Sequence, residues 1–161
     1  MNRRIVMVCG LLVSIGCNAA NSFEDICLKG TALDLHDAIW KGDLAEVERL
    51  TLERGVESSD GVGATSLMVA AQQKQDTIAQ YLLENGANAK AQSKARWTAL
   101  HYATAQGASQ DLVRMLLAHG ADKTVINALG QTPEQCARER GNHEIADYIA
   151  RYSRTKSASK G

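Results

Sequence analysis

Apolar residues recur along this chain in short clusters at helical spacing. Leu67, Ala70 and Ala71 fall at i, i+3 and i+4, and Leu100 and Ala103 repeat the motif. Each set predicts a short helix with a narrow face of small side chains that lets neighbouring helices approach closely. A wider apolar face follows each one, formed by Ile78, Ala79, Leu82 and Leu83, and then by Leu112, Val113, Leu116 and Leu117. Both of these second helices run into a glycine, Gly86 or Gly120, where a helix C-terminus calls for a left-handed residue. Ala87-Asn88 and Ala121-Asp122 then lead into a turn that returns the chain to its next short helix. The predicted unit is helix, turn, helix, hairpin.

The unit is repeated. Thr65-Ser66-Leu67-Met68-Val69-Ala70-Ala71 recurs as Thr98-Ala99-Leu100-His101-Tyr102-Ala103-Thr104 and as Thr132-Pro133-Glu134-Gln135-Cys136-Ala137-Arg138, with starts 33 and then 34 residues apart. Self-similarity at that period predicts a stack of supersecondary units, none of which buries its apolar face alone.

These residues carry a family resemblance. Gly-Ala followed by Asp or Asn, then an Asp, Asn or Ser seven residues after the glycine, then Gly-x-Thr-x-Leu-His-x-Ala, resembles the ankyrin repeat. The likeness is strongest in residues 93–126, clear in 60–92 and 127–152, and degenerate in 33–59, where Leu35-His36-Asp37-Ala38 and Gly42-Asp43-Leu44 remain. The implied fold is an all-α solenoid of about four helix-turn-helix units joined by β-hairpin loops, with 127–152 as its C-terminal cap. The resemblance also implies that His36 and His101, at the same place in the repeat, hydrogen-bond the hairpin backbone. Several residues depart from the pattern. Lys74 stands where the second unit should have its inter-helix glycine, and Arg96 replaces the hairpin glycine of the third. A residue at or near Ser109 is extra. The first hairpin, 55–60, is two residues shorter than its successors, and the first unit's second helix carries one residue more, so the N-terminal join is expected to be less regular.

Composition agrees with helices. Aromatic residues make up 4% of the 161 and proline occurs once, which suits a core of Ala and Leu better than a β-sandwich. The opening residues are different material. Arg3 and Arg4 precede an uncharged apolar run, 5–15, and small or polar residues 16–20, the three sections of an export signal, here assigned to 1–19. Two exits remain open. Cys17 and Ala19 form a small-x-small site releasing a soluble protein at Ala20, whereas Gly16-Cys17 resembles the end of a bacterial lipoprotein box and makes Cys17 the candidate lipidation site. Residues 20–32 are then a lead-in or cap and 153–161 a flexible tail. The expected location is the periplasm, with a lipid anchor in the envelope or secretion as alternatives. Removing 1–19 takes away two arginines and no acid from a neutral chain, which leaves no global attraction for nucleic acid or anionic membrane.

No catalytic constellation can be assembled from local spacing, and the chain is expected to be a monomer without enzymatic activity, cofactor, metal or small-molecule substrate. Cys27 and Cys136 are the thiols left after export, and three stacked steps of about 8–10 Å each separate them. A disulfide needs Cα atoms within about 7 Å, so they are expected to stay free. Variable positions remain to carry recognition. In an ankyrin-like stack these close each first helix and form each hairpin tip: here Trp40 and Lys41, Gln72 and Gln73, Gln106, Glu139 and Arg140 on helices, and Arg96, Trp97, Leu129 and Gln131 on hairpins. They form one concave strip expected to bind a protein partner, Trp97, Arg96, Leu129 and Arg140 being its anchors. For Trp40, packing against 23–28 as a cap is an equal reading. The partner's identity is open: inhibition of a toxin enzyme and an oxidant-protective or redox-responsive role are the alternatives that the resemblance to exported bacterial ankyrin proteins implies.

Overall fold

The computed structural model describes residues 32–152; the expected signal segment 1–19, all but the last residue of the lead-in, and the tail 153–161 lie outside the described residues. Eight helices form among these, in pairs: α1 (Ala32–Lys41) with α2 (Leu44–Arg54), α3 (Ser66–Gln72) with α4 (Asp76–Glu84), α5 (Ala99–Gln106) with α6 (Gln110–Ala118), and α7 (Pro133–Glu139) with α8 (His143–Arg151). The first helices stack as one layer, α1 on α3 on α5 on α7, and the second helices as another, α2 on α4 on α6 on α8. Both layers meet in a single core. Ala70, Ala71, Ala103 and Ala137 are fully buried where first helices touch, and Ile78, Leu82, Leu112 and Leu116 fill the space behind them. Alanine at the contact removes the side-chain volume that would hold two helices apart, which is why the narrow faces of the sequence become the tightest layer.

The first helices of the second, third and fourth units each begin at a threonine. Thr65, Thr98 and Thr132 accept from the backbone N–H of Met68, His101 and Gln135 at 3.4, 3.4 and 3.3 Å. The side chain of that third residue reaches back to the threonine N–H, through Met68 Sδ at 3.4 Å, His101 Nδ1 at 3.3 Å and Gln135 Oε1 at 2.8 Å. Two orphan donors are satisfied reciprocally each time.

The turns between paired helices share one geometry. A left-handed residue follows each first helix, and the next N–H bonds five residues back: Asp43 to Ala38, Gln75 to Ala70, Ala108 to Ala103, Asn142 to Ala137. Glycine fills this place at 42, 107 and 141; Lys74 fills it at φ 57°, and Arg96 likewise occupies a hairpin at φ 59°. At Gly42 a Cβ would sit 2.9 Å from Gln75 Nε2, whereas the cap of the third turn, Ser109, reaches Asp76 instead, its Oγ donating at 2.5 Å. Ala108 is the extra residue there, sitting between the left-handed Gly107 and the cap. Since a left-handed non-glycine costs about 1 kcal/mol, Lys74→Gly is expected to raise stability by roughly 0.5–1 kcal/mol. Urea denaturation of the two proteins checks this, and an unchanged or lower midpoint would show that Lys74 carries no strain.

The loops between units are hairpin turns with almost no ladder. Asp60 N–H bonds Ala64 O, Ser93 bonds Trp97 and Asn127 bonds Gln131, all across four residues. Among the described residues only the first hairpin adds a second bond outside its closure, Ser66 N–H to Ser58 O at 3.0 Å, and there is one isolated antiparallel bridge, Ser59 with Thr65. The tips are nevertheless tied to each other, Lys94 N–H donating to Val62 O and Ala128 N–H to Ala95 O, both at 3.0 Å.

The two ends of the stack differ. Where α3 and α5 place buried Leu67, Ala71, Leu100 and Thr104, α7 has Glu134 and Arg138, which pair with each other at 3.1 Å. Arg138 also meets Asp147 of α8 at 3.2 Å. A polar outer face at the last unit is what ends a solenoid without leaving a sticky surface. Lys123, in the preceding loop, donates to the carbonyls of Ile149, Ala150 and Tyr152 at 2.9–3.2 Å, so a cation meets the negative end of α8. At the other end Trp40 is 58% exposed and Leu52 83% exposed.

Candidate interaction surface

The expected strip lies on the surface. Trp40, Lys41, Arg96, Gln106, Leu129, Glu139 and Arg140 are exposed, while Gln72, Gln73, Trp97 and Gln131 are half-buried. The helix members stand at the C-terminal ends of α1, α3, α5 and α7, and the others on the second and third hairpins, closed by Ser93–Trp97 and Asn127–Gln131. The segment 23–28 that competes for Trp40 is outside the described residues.

Trp97 is the most firmly placed of these side chains. Its ring lies 5.1 Å from that of Tyr102 at 46° and 5.9 Å from the imidazole of His101 at 49°. Tilted aromatic contacts of this kind stabilise by about 0.5–1.5 kcal/mol beyond burial. Tyr102 was not among the expected site residues. Its signal is its place in the repeat, the variable position after His101, one turn along α5 from the hairpin that carries Trp97.

His101 fixes the platform. It is fully buried, its Nδ1 lies 2.9 Å from Thr98 Oγ1, and its Nε2 donates to Gln131 O of the next hairpin at 3.1 Å. The implied hairpin bond is therefore present at His101. At His36 it is not: the ring is buried but Nε2 makes no hydrogen bond, and the nearby Ser58 carbonyl already accepts from the Ser66 N–H at 3.0 Å. Burial pushes the pKa of both imidazoles below the ordinary value, against weaker opposing effects from Asp60 and the Ser58 backbone at His36, and from the Gln131 and Val125 backbone at His101.

Gln131 has two duties. Its carbonyl receives His101, while its side-chain Nε2 donates to Glu139 Oε2 at 2.5 Å, holding that carboxylate against the hairpin. Cys136 lies beneath, buried, within 3.7 Å of Gln131 Oε1 and Asn127 Nδ2. Burial, with Glu139 nearby, pushes its thiol pKa up, so it is a poor nucleophile and a poor redox group. Cys136 is a free thiol. Cys17 and Cys27 fall outside the described residues. Among the described residues no three His, Cys, Asp or Glu side chains gather where a metal ion would be held.

A stack of capped helix pairs with hairpins projecting to one side is the architecture of an interaction scaffold, and the family comparison agrees. The profile described as "Ankyrin repeats (3 copies)" matches residues 35–127 and again 67–160, well over half of the chain. The chain belongs to the ankyrin-repeat family, whose repeats serve as protein–protein interaction modules. It is similar to the mouse protein "Ankyrin repeat and SOCS box protein 16", 33% identical over 105 residues, 65% of this chain and 23% of that one. It also resembles the rice "Probable E3 ubiquitin-protein ligase XBOS34", 38% identical over 98 residues (59% of this chain, 19% of that protein), and the human "2-5A-dependent ribonuclease", 39% identical over 87 residues (50% and 12%). The chain thus spans less than a quarter of the length of these relatives.

Proposed function

We propose that this chain is a non-enzymatic binding protein of the cell envelope that grips one protein partner along the concave strip of its hairpin tips and first-helix ends. The observation that carries the reading is Trp97, an aromatic side chain left half-exposed at a tip but braced from behind by Tyr102 and His101. Val62 at 59% and Leu129 at 72% exposure flank it on the neighbouring tips. A rigid aromatic among exposed apolar neighbours loses little entropy on binding, and such residues each contribute about 2 kcal/mol or more at protein interfaces. Location in the envelope rests on Arg3, Arg4 and the apolar run 5–15. The intact mass of the mature protein distinguishes cleavage before Ala20 from lipidation of Cys17.

The test is affinity capture from the envelope fraction of the source organism. Trp97→Ala is expected to weaken capture at least about tenfold, and Leu129→Asp, which disturbs no packing, to do likewise. If both variants fold and hold the captured protein as tightly as wild type, the strip is not the binding face. A single tightly held enzyme as the captured protein is the outcome that favours inhibition of a toxin.

A further inference from the structure

The cations of this protein are unevenly employed. On the second-helix layer Arg49 is bound by Glu46 and Glu53, at 2.6 and 2.7 Å, and Arg114 by Asp111 at 2.9 Å. On the strip, Lys94, Arg96 and Arg140 form no ion pair among the described residues; Lys94 Nζ only touches Gly61 O at 2.7 Å. The carboxylates nearby are already engaged. Asp60 Oδ1 accepts from the Val62 and Ala64 N–H groups at 3.0 and 2.8 Å, Glu139 is held by Gln131, and Asp37 pairs with Lys41. Neutral amides leave Asp60 and Glu139 charged, so along the strip Lys94, Arg96 and Arg140 stand against two carboxylates, a small positive excess whose cations are not committed to an ion pair among the described residues.

The same tips carry the exposed apolar row. Val62, Ala95 and Leu129 hold the same place in successive hairpins, and the hydrogen bonds from Lys94 to Val62 and from Ala128 to Ala95 fix them in line. With units about 8–10 Å apart, the row is spanned by roughly six extended residues at about 3.3 Å each.

Resting on the strip as the binding face, we infer that the partner presents an acidic segment with apolar anchors: Asp or Glu side chains meeting Lys94, Arg96 and Arg140, and large apolar residues meeting Val62, Trp97 and Leu129. Arginine is suited to this role because its planar fork takes a carboxylate through two parallel hydrogen bonds. Charge complementarity of this kind selects among partners and accelerates encounter, while the apolar row supplies residence time.

A phage-displayed library of random dodecapeptides, panned on the purified protein, tests the inference. The expected pool is enriched in Asp and Glu beside Leu, Ile or Phe. Those clones should bind the Arg96→Glu/Arg140→Glu variant at least tenfold more weakly, and wild type more weakly at high salt. Glutamate tolerates the left-handed place of Arg96 no worse than arginine does, and circular dichroism of the variant confirms its fold. Clones that compete for Trp97 but show no acidic excess, or that ignore the charge reversal, overturn the acidic class and leave the strip standing. No enriched clones, or clones indifferent to Trp97→Ala, overturn both.

Discussion

Leu100→Ala is expected to cost about 3–5 kcal/mol, the range found for fully buried leucines whose surroundings close only partly over the gap. Leu100 has no exposed surface and sits on α5, which packs on α3 at one side and α7 at the other. Its removal loosens two interfaces together. Because stability in a stack is close to a sum of units and nearest-neighbour interfaces, damage in a central unit uncouples the fourth unit from the first two. A domain of this size has about 5–15 kcal/mol in hand, so the variant should lose at least a fifth of it, with a drop in melting temperature of roughly 10–20 °C. Leu52→Ala is the control. That leucine is 83% exposed, and its loss should fall within about 0.5 kcal/mol of wild type in urea unfolding. Equal losses at the two positions would mean that the stack does not bury its first helices as described.

The contrast between those two leucines shows what the sequence makes legible. Helical spacing of Leu and Ala, threonine caps and glycines after helices are local signals, so they mark helices and turns, and they mark Lys74 and Arg96 as the non-glycines at positive φ. Leu52 is apolar by composition, yet two residues beyond buried Leu50 the helix has turned by about 200°, so it points to solvent, as Glu84 does at the same distance from the preceding left-handed residue. Information that spans units is harder to read. His36 and His101 look alike in the sequence, yet one ring finds its carbonyl in the following hairpin and the other does not. Lys123 reads as an ordinary loop lysine, because the carbonyls it meets lie 26 to 29 residues further on.

The candidate surface divides in the same way. Exposure of the tip and helix-end residues follows from their phase in the repeat. The support beneath Trp97 does not, since its ring contacts with Tyr102 and His101 depend on how the hairpin enters α5. Gln131 shows the limit most clearly: its position marks it as a surface residue, while its carbonyl belongs to the buried bond from His101 and its side chain to Glu139. A substitution there changes only the side chain, so Gln131→Ala frees Glu139 and leaves the carbonyl bond in place.

His101→Ala is expected to destabilise by about 2–4 kcal/mol at pH 7.5, and to do so in a pH-dependent way that no apolar core variant reproduces. The alanine leaves a cavity and strips partners from the Thr98 N–H and the Gln131 carbonyl, each worth about 1–3 kcal/mol when left buried and unpaired. His101→Gln should cost less, because Gln135 closes the same capping box in the fourth unit. The sign of the pH effect follows from burial. Desolvation holds the folded ring below the value of about 6.5 it has in an unfolded chain, so the unfolded state takes up the proton first. The contribution is present in full above that unfolded value and is lost as the pH falls from it through the folded one. His36, lowered in the same direction, adds to the loss. Urea unfolding of wild type from pH 7.5 to 5 should therefore show falling stability, with a shallower fall in His101→Gln and the shallowest in the His36→Gln/His101→Gln pair. Parallel profiles for all three would mean that the rings titrate alike in both states, and the buried neutral imidazole between hairpins would have to be given up.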